Sequence, residues 1–163
     1  MEKRVITQSG LTLIELLVGM AVIAAFMTAA MTTFQKALEL ANRNSRAVQA
    51  AYLAEEGVEA LKLMRDNGWQ ASIAPLVPGT AYYFEFAGGM WKSTTTNLFL
   101  DGMYERKFVL SQVRRDATTK DIVASGGALD ASTTQATVSV SWRGSSGTTT
   151  KSIATYIVNL FAN

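Results

Sequence analysis

A chain of 163 residues has room for one domain of ordinary size plus an appended segment. Its 15 basic and 13 acidic residues leave a formal net charge of +2, too near neutral to call for an acidic partner such as nucleic acid. Cysteine and histidine are both absent, which excludes disulfides, thiolate nucleophiles, zinc sites and imidazole acid–base catalysis.

Residues 1–10, MEKRVITQSG, are short and polar, with Lys3 and Arg4 close to the start. In residues 11–34 Glu15 is the only charge, and Met, Ala, Leu, Ile and Val predominate. Roughly 20 apolar residues in a helix cross a bilayer core, so this run is long enough. Basic residues before it place that end in the cytoplasm and the rest of the chain outside. Residues 35–67 contain no proline and carry a stripe at helical spacing: Ala47, Ala51, Ala54, Val58, Leu61 and then Met64 or Arg65. Lys62 and Asp66 are spaced as an i,i+4 pair of opposite sign, and Asn67-Gly68 supplies a stop. A single helix over residues 11–66 would be on the order of 80 Å long. Its first half is apolar all round and its second half amphipathic.

Residues 68–80 hold both prolines, Pro75 and Pro78, and read as the loop between helix and sheet. Beyond them the signals are those of strands. Tyr82, Phe84 and Phe86 alternate, a Gly88-Gly89 turn follows, and MWKST comes next. Asp101-Gly102 between two β-prone runs reads as a two-residue hairpin turn. Ala136, Val138, Val140 and Trp142 share one face of a strand, opposite Gln135, Thr137, Ser139, Ser141 and Arg143. A last long strand closes the chain. No βαβ pattern occurs, so the expectation is an α+β fold with an antiparallel sheet of about four to six strands packed on the amphipathic half of the helix.

The stretch SGLTLIELLVGM resembles the prepilin cleavage and methylation signature of type IV pilins, type II secretion pseudopilins and their relatives. The matching positions are Gly10, Leu11, Thr12, Leu13, Ile14, Glu15, Leu16 and Leu17, in register with a polar leader and a membrane-length run. A secretory signal peptide has a shorter apolar core ending in small residues, and a plain single-pass anchor explains neither the glycine nor the glutamate. The resemblance implies a pilin-like fold and cleavage between Gly10 and Leu11 by a membrane prepilin peptidase. That enzyme then methylates the freed Leu11 amine. It also implies a role for Glu15 in subunit assembly, facing the positively charged N-terminal amine of a neighbour. An isolated charge in a membrane helix costs about 2.5–3.5 kcal/mol on insertion scales, so a partner is expected.

The segment AVQAAYLAEEGVEALKLMRDNGW, with ATVSVSWRG and SIATYIVNL, resembles PilV-type minor pilins and minor type II secretion pseudopilins. Thr32 stands where many major pilins place a helix-kinking proline, and their C-terminal cysteine pair is missing. The resemblance therefore implies a structural minor subunit of a type IV pilus or related filament, not an enzyme. The alternatives are a minor pseudopilin of type II secretion and a pilus-tip adhesin or DNA-binding module. Its partners are other pilin or pseudopilin subunits, the peptidase and methylase, and the membrane, crossed once before assembly. The head would lie outside the cytoplasm, later on a surface pilus or a periplasmic pseudopilus.

No cofactor or metal is implied. Arg106, Lys107, Arg114, Arg115 and Lys120 read as a solvated strand edge, with DNA contact possible but not favoured because Glu105, Asp116 and Asp121 are interleaved. Trp69 and Trp91 are expected to cover the helix–sheet junction, and Glu55, Glu56 and Glu59 to form a polar helix face. The expected organisation is a leader at 1–10, a transmembrane and assembly half-helix at 11–34, an amphipathic half at 35–67 and a sheet head at 68–163.

Overall fold

A computed structural model describes residues 12–144 and 147–160. Two compact units are distinguished, Met1–Asn44 and Ser45–Asn163. One α-helix, α1 (Leu13–Asn67), runs through the described part of the first unit and opens the second. It ends where the sequence predicts, at Asn67, with the Gly68 amide donating to the Arg65 carbonyl.

In the second unit α1 lies on a six-stranded sheet. The expected helix-to-sheet loop contains one short turn of helix, α2 (Trp69–Ser72). The strands are β1 (Ala81–Ala87), β2 (Met90–Thr94), β3 (Glu105–Arg115), β4 (Ile122–Val123), β5 (Ala128–Gly144) and β6 (Gly147–Val158). Their order is β2-β1-β3-β5-β6, with β4 paired to β3, and every pairing is antiparallel. Gly88 and Gly89 join β1 to β2 with φ of 65° and 78°, the left-handed pair that a tight hairpin of this twist requires.

The alternation in β5 holds: Ala136, Val138, Val140 and Trp142 are buried toward α1. Phe108 and Leu110 of β3 share that side, and Phe84 of β1 packs its ring 4.7 Å from that of Phe108. On the helix the buried positions are Ala50, Ala54, Gly57, Val58, Ala60, Leu61 and Met64. The stripe is therefore turned from the sequence reading. Ala50 rather than Ala51 is fully covered, Ala47 is only partly so, and Gly57 and Ala60 join the face. Glycine costs about 1 kcal/mol against alanine inside a helix, so Gly57 needs a reason. A Cβ there would stand 2.7 Å from Val138 Cγ1, so the helix sits as close to β5 as it does because that side chain is absent.

Two other local expectations change. Asp101-Gly102 does turn the chain, but the turn spans residues 101–103 and closes only on a single bridge, Leu100 with Tyr104. Residues 97–99 form no ladder, and Tyr104 is turned inward, where its hydroxyl donates to Gln49 Oε1 at 3.0 Å. Lys62 pairs with Glu59 at 2.7 Å and not with Asp66, which takes Arg65 instead. The Lys62–Glu59 pair is exposed, so its choice of partner carries little energy, whereas Arg65 is largely covered.

Candidate functional site

The Leu16 amide donates to the Thr12 carbonyl at 3.1 Å, and Glu15 lies in the first turn of α1. A carboxylate there is favoured by the partial positive charge of the helix N-terminus. Gly10 and Leu11, where cleavage and methylation are expected, lie outside the described residues. Every residue from 12 to 44 is exposed, including Leu13, Ile14, Phe26, Met27 and Phe34. Among the described residues, α1 is the one helix long and apolar enough to cross a membrane by length and composition.

The polar side chains of residues 13–34 are Glu15, Thr28, Thr32 and Thr33. Thr28 Oγ1 donates to the Ala24 or Ala25 carbonyl at 3.1 and 2.9 Å, Thr32 to Ala29 at 2.8 Å, and Thr33 to Ala29 at 2.9 Å. Each hydroxyl is thus satisfied by its own helix, as a hydrocarbon surrounding demands. Thr32, read as the replacement for a kinking proline, leaves the helix unbroken at that point. Glu15 makes no hydrogen bond or ion pair with another described residue. Among the polar side chains of residues 13–34 it alone has no such partner within the described residues.

In the head, the basic set foreseen as a solvated strand edge is divided instead. β3 is a central strand, so its side chains alternate between the core and the open face. Arg106 falls on the core side with Phe108 and Leu110 and is buried. Its Nη1 donates to Glu56 Oε2 at 2.8 Å and to the Leu53 carbonyl at 3.1 Å. The guanidinium lies 5.1 Å from the Phe84 ring centre and 5.4 Å from that of Trp91. Trp91 and Trp69 both pack against the core at the helix–sheet junction, as expected. Period-2 counting along ERKFVL puts Arg106 in phase with Phe108, a signal in the sequence that the charge of the segment obscured.

Arg115 is engaged as well. Beyond Gln112, paired with Thr134, the register jumps so that Val113 pairs with Asp130, leaving residues 131–133 of β5 unopposed. Arg115 staples this bulge: Nε donates to Asp130 Oδ2 at 2.6 Å, Nη2 to Thr133 Oγ1 and Nη1 to the Lys120 carbonyl. The Arg115 hydrogen bond holds the Asp130 carboxyl below the usual carboxylate range, helped by Thr133 and by the Ser132 amide. Asp116 is lowered too, by the amides of Thr119 and Thr118. A cavity of about 360 Å³ lies beside the bulge, walled by Trp69, Ile73, Leu76, Leu110 and Leu129. Asp130 and Thr133 also line it, already bonded as described. Among the described residues no group of three or more His, Cys, Asp or Glu is placed to hold a metal ion. Glu55, Glu56 and Glu59 do not converge on one point: Glu56 reaches Arg106 and Glu59 reaches Lys62.

Residues 7–31 match the family model described as the prokaryotic N-terminal methylation motif. No curated protein matches the chain. No solved structure matches it. Motif and geometry coincide on one segment: a prepilin-type leader sequence that runs directly into an apolar, membrane-length helix, followed by an α+β head of pilin-like build.

Proposed function

We propose that the chain is a structural minor subunit of a type IV pilus or related filament, built in through its N-terminal helix. The observation that carries this is the methylation motif at residues 7–31, set on a helix whose first half is apolar on every side and exposed at every described position from 12 to 44. Lipid covers such a surface before assembly, and other subunits cover it afterwards. A prepilin peptidase cuts between Gly10 and Leu11, and the new Leu11 amine is methylated. Glycine before the scissile bond gives the least obstruction to an extended backbone at a bilayer-edge active site. The cut creates a cation at the start of the helix, and Glu15 of an adjacent subunit neutralises it in a low-dielectric surrounding. Lys3 and Arg4 hold the leader on the cytoplasmic side, with the head outside.

The minor role rests on the missing cysteine pair and on Thr32 in place of a kinking proline. Both features also suit a type II secretion pseudopilin, the second reading. A tip module that binds DNA is less favoured, since Arg106 and Arg115 are occupied within the head. Intact-mass analysis of the membrane-extracted protein tests the proposal. The expected result is loss of residues 1–10 and one methyl group on Leu11. A mature N-terminus near residue 31 would mean that an ordinary signal peptidase had acted, and the reading would collapse. Replacing Gly10 by a bulky residue is expected to leave uncut precursor in the membrane.

A further inference from the structure

Between β2 and β3 the chain makes no ladder, only the single bridge of Leu100 with Tyr104. Earlier in this loop, Asn97 Nδ2 donates to Glu105 Oε1 of β3 at 3.5 Å. The same carboxylate oxygen accepts the Tyr83 hydroxyl at 3.0 Å, and Lys107 Nζ stands 3.7 Å from it. An amine, a primary amide and a carboxylate thus meet at one atom.

The surroundings separate this cluster from an ordinary surface ion pair. Lys107 sits on a central strand, paired with Tyr83 of β1 on one side and Ser139 of β5 on the other. The Lys107 and Glu105 side chains are 36% and 25% exposed, so both are partly withdrawn from water. Burial disfavours charged forms, which lowers the cost of passing a proton from the ammonium to the carboxylate. Asn97 Oδ1 is buried without a hydrogen-bond partner. A buried carbonyl left unpaired is costly, and such an atom in a folded chain calls for an explanation. One long hydrogen bond is all that holds this amide, so it is free to turn toward Nζ. The four-carbon stem of the lysine supplies the remaining reach.

We propose that Lys107 and Asn97 are joined by an isopeptide bond, with Glu105 as the proton carrier. Nζ gives up a proton to the Glu105 carboxylate and attacks Asn97 Cγ with the freed electron pair. The Nζ–Cγ bond forms and the Cγ–Nδ2 bond breaks. A second proton leaves Nζ, and both pass through Glu105 to Nδ2, which departs as ammonium. An ammonium and a primary amide have become a secondary amide and an ammonium ion, with no oxidant or reductant needed. Holding the two groups at one carboxylate supplies the proximity on which such a step depends. Tyr83 is a positioning residue: its hydroxyl fixes Glu105 Oε1. The product ties the loop to a central strand in a chain that has no cysteine for a disulfide. It involves the head alone, so it stands or falls apart from the filament reading.

Intact-mass analysis of the full-length chain and of its Lys107→Arg and Glu105→Gln variants tests this. The wild-type chain is expected to weigh one ammonia less than its sequence and leader processing require. Both variants are expected to keep that ammonia. A tryptic digest of the wild type should yield a branched peptide joining residue 97 to residue 107. Full mass in folded wild-type protein would overturn the bond. An imide at Asn67-Gly68 also sheds ammonia, but it would persist in Lys107→Arg. A loss that persists there, or a digest without the branched peptide, overturns the proposal as well. Loss of the ammonia in Glu105→Gln would overturn the part given to Glu105. Leader removal is read from the N-terminal peptide of the same digest, so failure of one reading is distinguished from failure of the other.

Discussion

Residues 13–34 of α1 and the head meet the same requirement, satisfaction of polar groups, by opposite means. In residues 13–34 each threonine hydroxyl bonds a carbonyl one turn back, and only Glu15 is left for an outside partner. In the head, long-range pairs carry the load. Arg106 reaches from β3 to Glu56 and Leu53 on α1, and Arg115 reaches across a bulge to Asp130 and Thr133. Local satisfaction leaves a helix free to exchange lipid for protein neighbours without changing its own bonds. In the head the bonds of Arg106 and Arg115 join residues far apart in the chain, although Arg106 Nε and Asn97 Oδ1 stay buried without a partner. That division suits a subunit that leaves a membrane and enters a filament, and it tells where a substitution acts.

The largest effect is expected where the first region depends on a neighbour. Glu15→Gln removes charge with little change of volume, so insertion and leader removal should persist. Recovery with other pilin subunits should fall to background, because an amine left unpaired in a low-dielectric core is costly. Equal recovery of variant and wild type would retire the assembly role of Glu15.

In the head the Arg106–Glu56 pair is asymmetric, and that asymmetry can be measured. Glu56 is half exposed, whereas the Arg106 side chain is almost fully buried. Glu56→Ala strands a buried guanidinium, and a loss of roughly 2 kcal/mol is expected, moderated by the remaining Leu53 carbonyl and the ring faces. Arg106→Met leaves Glu56 to water and keeps much of the packing, so it should cost less. Urea unfolding of the two variants checks the order. The reverse order would show that packing, not charge, governs this site.

Gly57→Ala sets a gain against a clash. Helix propensity favours alanine by about 1 kcal/mol, but crowding a packed core costs about 1–3 kcal/mol. Val138 is fully buried in a central strand and has no room to give. A net loss of about 1 kcal/mol is expected in the same unfolding assay. A more stable variant would mean that helix and sheet can part slightly at no cost.

The smallest effect is the pH response of the bulge. The folded-state pKa of Asp130 lies below its unfolded value, which is about 3.9. Its contribution is therefore fully present above about pH 4 and is lost as pH falls through the lower folded value. Asp130→Asn should flatten the acid loss of stability in that window and leave its slope near neutral pH unchanged. Asp116 keeps its own share of the acid response, since its carboxylate is held by backbone amides. An unchanged acid limb in Asp130→Asn would show that the Arg115 staple contributes little.

The extent of α1 was legible because its determinants are local: an unbroken helical pattern, a membrane-length apolar run and a stop at Asn67-Gly68. The alternation of β5 and the Gly88-Gly89 hairpin were legible for the same reason. Glu15 stood out because a carboxylate is anomalous among apolar neighbours, and that anomaly needs no fold to be noticed. Sheet order, by contrast, depends on which strands meet. Only the tertiary structure made β3 central, and thereby moved Arg106 from an expected solvated edge to the core. It also rotated the buried stripe onto Ala50, Gly57 and Ala60, with Gly57 lying against Val138 where a Cβ would stand 2.7 Å from its Cγ1. Lys62 chose Glu59 over Asp66 through side-chain reach on an exposed surface, where the energies are nearly equal. Periodicity fixes what each segment becomes, since hydrogen bonds within a helix or along a strand are set by neighbours in sequence. Which charged side chains end up inside is set by contacts between segments far apart in the chain, and no local pattern contains that information.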